Sequence, residues 1–139
     1  MAGVLLLIAL AGACGTTSGS YGAAASTAPA VRVSLVEFRI TPSVTSVPAG
    51  PVTFVVSNQG AVTHEMVIVQ TDSAPDRLKL SADGDADEDD NGLKVGEVDD
   101  VAPGKSATET FRLKSGHYVL FCNQPGHYRM GMATALNVT

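Results

Sequence analysis

Gly116-His-Tyr-Val-Leu-Phe-Cys122-Asn-Gln-Pro-Gly-His127-Tyr-Arg-Met-Gly-Met132 reads as a strand running into a short loop, and from Cys122 onward it sets a thiol, an imidazole and a thioether within eleven residues. Alternation along the strand puts Tyr118, Leu120 and Cys122 on one face and His117, Val119 and Phe121 on the other. Cys122 therefore ends an inward stripe, and His117 reads as a surface side chain. Pro125-Gly126 has the chemistry of a tight turn, which brings His127 back toward the cysteine while Met132 enters from the far end of the loop. A second imidazole, His64, shares parity with Met66 and Ile68 and so opens the buried stripe of another strand.

These residue types point to one ion. Thiolate and thioether sulfur suit Cu(I), imidazole suits both oxidation states, and two imidazoles with one thiolate beside a long axial sulfur make a blue-copper arrangement. His64, Cys122, His127 and Met132 are the candidate donors for a single Cu(I)/Cu(II) ion. Because His64 precedes Cys122 by 58 residues, a metal held by both would tie distant segments together and stabilise the fold.

Outward from this loop, residues 31–139 read as short apolar runs punctuated by Pro and Gly, the pattern of an all-β sandwich. The runs at 31–40, 44–47, 51–57, 62–70, 106–113, 117–122 and 133–138 are predicted strands. Parity slips between Leu35 and Val36, which predicts a β-bulge there. Only residues 72–82 have the composition of a short helix. A core of Val, Leu and Ala follows from 45% hydrophobic residues with 5% aromatic and no Trp.

The residues just quoted resemble those of the cupredoxins, the small blue-copper proteins. His64, Gly116 to Cys122, Pro125-Gly126-His127 and Gly131-Met132 carry the likeness, and the C-x4-H-x4-M loop resembles the rusticyanin, sulfocyanin and auracyanin type. The resemblance implies a Greek-key β-sandwich and an electron carrier rather than an enzyme. His64, Cys122 and His127 would be equatorial ligands and Met132 the weak axial one, with Met130 the alternative axial sulfur. It implies no small-molecule substrate, a monomer, and redox protein partners docking near His127 on a patch made by Pro125, Tyr128 and Met130. Glu65 stands where many cupredoxins place Asn or Ser. It is expected to bond toward Asn123 and bridge the two ligand segments, and its charge, if close to the metal, would favour Cu(II).

Residues 1–13 are apolar and uncharged but shorter than the about 20 residues a membrane-spanning helix needs. They read as a signal peptide. Leu10-Ala-Gly-Ala-Cys14 resembles a lipoprotein cleavage site, so Cys14 is expected to carry lipid, and the Gly/Ser/Thr/Ala-rich residues 14–30 to form a disordered, flexible tether. The expected location is the cell envelope, in the periplasm or on the outer face of the cytoplasmic membrane. With Cys14 lipidated, no second thiol is left to pair with Cys122.

Charge is concentrated. Residues 83–100 hold nine carboxylates against Lys94, a local sum of −8 within a formal total of −5, and no basic stripe offers a footprint for nucleic acid. Counting from Asp87, a calcium loop would need its last ligand at position twelve, which is Val98. The segment therefore reads as a solvated acidic loop or a docking patch for a basic partner. Three rival functions stay in view: a copper-delivery lipoprotein, a zinc-stabilised binding module, and a thiol enzyme using Cys122 with His127.

Overall fold

In β4 (Gly50–Asn58), Val52, Phe54 and Val56 are fully buried while Thr53, Val55 and Ser57 between them are half-exposed. That alternation marks a strand with one face on the core. The computed structural model describes residues 28–139. The predicted signal peptide, Cys14 and most of the tether lie outside the described residues.

Eight further strands accompany β4: β1 (Ala30–Val36), β2 (Arg39–Pro42), β3 (Ser46–Val47), β5 (His64–Gln70), β6 (Leu93–Val101), β7 (Ser106–Leu113), β8 (Gly116–Phe121) and β9 (Ala133–Val138). They form two sheets, in the orders β2-β1-β4-β7 and β3-β9-β8-β5-β6. Pairing is antiparallel except for β1 with β4 and β3 with β9, and the chain crosses repeatedly between sheets as a Greek-key sandwich requires. Between the sheets lies the main core, where Phe54, Leu35, Met66, Ile68, Tyr118, Leu120 and Leu136 are at most 2% exposed.

Three local expectations are corrected. The run 31–40 is not one bulged strand but a hairpin: Val36 pairs with Arg39, and Glu37-Phe38 makes the two-residue turn that resets the parity. The acidic segment is a loop only in its first half, because residues 93–101 form β6, an edge strand paired with β5. Its Lys94, Glu97, Asp99 and Asp100 hide the strand pattern, and charge is what a sheet edge needs to discourage pairing with another chain. The expected helix at 72–82 shrinks to the single helical turn Pro75–Arg77.

The excursion from Thr71 to Gly92 folds over the outer face of the second sheet. Leu78 and Ala86 from it, with Tyr128, pack on Val67, Val69, Val119 and Phe121 in a second apolar cluster. β5 and β8 are thereby covered on both faces, which explains the continuous apolar run Met66-Val-Ile-Val69.

Candidate metal centre

β5 and β8 are antiparallel neighbours, with Val67 opposite Phe121 and Ile68 opposite Leu120. This register sets His64, the first residue of β5, beside Cys122, which follows the last residue of β8. His127 returns from the loop to the same point. Its Nδ1 lies 3.3 Å from Sγ of Cys122 and 3.2 Å from Nδ1 of His64, and Sγ lies 3.9 Å from Nδ1 of His64. His64 and Cys122 are fully buried, His127 partly so.

Backbone hydrogen bonds shape the loop. Cys122 N–H donates to the Met132 carbonyl at 3.0 Å, Met132 N–H to the His127 carbonyl at 3.1 Å, and His127 N–H to the Gln124 carbonyl at 2.8 Å. The Glu65 amide points at Sγ of Cys122 across 3.5 Å, and the Glu65 carboxylate accepts the Asn123 N–H at 3.0 Å. The excursion braces the loop from outside. Asp85 accepts the Gly126 N–H at 2.8 Å, while the Asn123 amide group bonds both backbone groups of Ala86 and the Glu88 carboxylate. Tyr128 Oη donates to the Pro75 carbonyl and accepts the Leu78 N–H.

Burial dominates the electrostatics. It lowers the basicity of His64 and raises the Cys122 thiol above its ordinary value. It also pushes Glu65 up to about 7, aided by the nearby carboxylates of Glu88, Glu97 and Asp100 and opposed by the hydrogen bond from Asn123. Nδ1 of His127 lies against both Sγ of Cys122 and Nδ1 of His64, and its one proton or one lone pair serves only one of these contacts at a time. Metal–donor bonds of about 2.0–2.3 Å separate neighbouring donors in a trigonal plane by roughly 3.5–3.8 Å. The observed 3.2, 3.3 and 3.9 Å bracket that span. A buried soft sulfur with one buried and one partly exposed imidazole fits a copper ion.

The structure separates the two methionines. Met132 is fully buried in the main core cluster with Cys122, whereas Met130 is 63% exposed. His117 is exposed, its Nδ1 2.8 Å from Oδ1 of Asn137, and takes no part in the centre. Tyr128 does not belong to an exposed patch: it is buried, its hydroxyl drawn inward by Pro75 and Leu78. Pro125 and Met130 remain exposed beside His127.

Two contacts of the centre were not expected from sequence. The Phe38 ring meets the His127 ring edge to face, with centroids 5.2 Å apart. Oε1 of Glu37 stands 3.5 Å from Nε2 of His64, a nitrogen that makes no hydrogen bond among the described residues. Both come from the hairpin turn read as a bulge. The parity slip at Leu35-Val36 was the available signal.

The fold has counterparts among solved structures. The structure is similar to reduced auracyanin from the photosynthetic bacterium Roseiflexus castenholzii, at TM-score 0.60 and 23% identity over 81% of this chain and 98% of that one. Auracyanin A from Chloroflexus aurantiacus, described as a "blue" copper protein, is similar at TM-score 0.54 and 22% identity, covering 79% and 99%. Rusticyanin from Thiobacillus ferrooxidans is similar at TM-score 0.58 and 17% identity, covering 81% and 79%. No curated protein matches the sequence. A family model, the cupredoxin-like domain, matches residues 3–135. With that match over most of its length and a β-sandwich to accompany it, the chain belongs to the cupredoxin-like family.

Proposed function

We propose that this chain is a mononuclear type 1 copper protein that carries single electrons between redox partners in the cell envelope. His64, Cys122 and His127 would hold the ion as its main donors, with Met132 the weaker sulfur donor. The observation that carries this reading is the convergence of Sγ of Cys122 with Nδ1 of His64 and of His127 inside 4.8 Å, with His64 and Cys122 fully buried and His127 partly so. Copper, when bound, supplies a one-electron couple.

The residues do the rest. Strands β5 and β8 fix His64 and Cys122 against movement, so the donor positions are set before the metal arrives and change little with its charge. Core packing excludes water from the sulfur. His127, partly exposed on the loop, is the donor residue that a docked partner would reach, with Pro125 and Met130 offering apolar contact around it. Cys14 carries the lipid anchor, and residues 14–30 let the 31–139 domain reorient to meet its partners. No small-molecule substrate is needed, and the protein acts as a monomer.

Titrating the full chain with Cu(II) is expected to give an intense blue charge-transfer band and the narrow copper hyperfine splitting of a thiolate-bound site. Cys122→Ser is expected to abolish both. A colourless wild-type complex overturns the reading and favours zinc or a copper-delivery role. Retention of Cys14→Ser protein in the membrane fraction would overturn the anchor.

A further inference from the structure

We infer that Glu37 is a positioning residue for His64, its carboxylate accepting the Nε2 proton and so holding the ring with Nδ1 bare toward Cys122 and His127. The contact is a difference of role within one imidazole. Nδ1 of His64 faces the other two donors, so the single proton of the neutral ring belongs on Nε2. Nε2 is fully buried and has no hydrogen-bond partner among the described residues, yet Oε1 of Glu37 stands 3.5 Å away. A shift of roughly 0.5 Å turns that approach into an ordinary N–H···O bond.

The carboxylate is held in place by the turn that leads into β5. The same Oε1 accepts the N–H of Ala61 at 2.6 Å and of Val62 at 3.0 Å. Gly60 leaves the space it occupies: a Cβ there would stand 2.5 Å from one carboxylate oxygen and 2.7 Å from the other. Gly60 has no left-handed backbone to explain it, so the missing side chain serves this approach. Acceptance by a carboxylate fixes the tautomer of a metal-bound imidazole and strengthens it as a donor. Together with the nearby negative charge, that favours the more highly charged metal.

For its electrochemical arm this inference rests on the copper reading; its spectroscopic arm does not. Nitrogen-15 NMR of the metal-free and Cu(I)-loaded full chain reads the tautomer and the exchange of the His64 ring proton. The wild type is expected to show a protonated Nε2 and a bare Nδ1. Glu37→Gln keeps an acceptor oxygen and the tautomer. Glu37→Ala, and Gly60→Ala through displacement of the carboxylate, exchange that proton about tenfold faster, the loss of one hydrogen bond to a charged group. In the copper form the reduction potential rises in the order wild type, Glu37→Gln, Glu37→Ala. Wild-type exchange and potential in Glu37→Ala overturn the inference, as does a proton on Nδ1 of the metal-free wild type. If Glu37→Ala does not fold, the Gln and Gly60→Ala variants decide. Should the wild type give no blue band, the copper reading falls, and the metal-free spectra still decide the role of Glu37.

Discussion

Glu65 grips Cys122 from two sides: its backbone N–H points at Sγ across 3.5 Å, and its carboxylate accepts the N–H of the next residue, Asn123, at 3.0 Å. A donor on the sulfur withdraws electron density, and a carboxylate behind it returns negative charge. Glu65→Gln separates the two, because the amide oxygen still accepts from Asn123 while the charge is gone. The variant is expected to keep its blue band and to show a higher potential than wild type at about pH 8, where a carboxyl near 7 is ionised. Spectroelectrochemistry of the pair decides; equal potentials mean that the centre does not sense this charge.

The methionines give the sharpest contrast in burial, 0% for Met132 against 63% for Met130. Leucine conserves volume, so either replacement is expected to cost less than about 1.5 kcal/mol in stability. Met132→Leu should change the visible spectrum and raise the potential by removing a weak sulfur donor. Met130→Leu should leave both alone. The reverse outcome would exchange their roles.

Tyr128 ties the ligand loop to the excursion through a hydroxyl that gives to Pro75 and takes from Leu78 at 2.8 Å. Tyr128→Phe leaves the Leu78 amide without its partner, at a cost of about 1–3 kcal/mol. Denaturant unfolding of the metal-free protein should show this as a lower midpoint at unchanged slope.

The pH response should come from Glu88. Burial alone would raise its carboxyl, but hydrogen bonds from Lys94 and Asn123 and the Lys94 charge outweigh burial and hold it below the ordinary carboxylate value. A depressed folded pKa contributes stability above the unfolded value, about 4.3, and that stability is lost as pH falls through the folded one. Since both partners are partly exposed, the Lys94–Glu88 pair contributes up to about 1 kcal/mol. Lys94→Met should be less stable than wild type by about that amount at pH 7, and the gap should close once the Glu88 carboxylate is protonated in acid. A gap that persists in acid assigns the loss to packing.

Much of the sandwich and the grouping of donors could be read from the chain. Three of the four candidate donors fall within eleven residues, and parity alone turned His64 inward and His117 outward. Alternation in β4 is clean because only one of its faces lies on the core, whereas β8 is buried on both faces. The Glu37-Phe38 hairpin was not legible, since it lacks the Gly, Asn or Asp that two-residue turns favour. β6 was masked by the charges of an edge strand. The contacts of Glu37 with His64, of Asp85 with Gly126 and of Tyr128 with Pro75 each join residues far apart in sequence. They depend on tertiary placement, which no local pattern encodes.

The excursion from Thr71 to Gly92 has a consequence for how the molecule comes apart. It leaves β5 and β8 dry on both faces, with Val67, Val69, Val119 and Phe121 under one cover and Met66, Ile68, Tyr118 and Leu120 under the other. Amides so enclosed exchange with solvent only when the whole domain opens. The floor beneath His64 and Cys122 is therefore the last part of the described domain to melt.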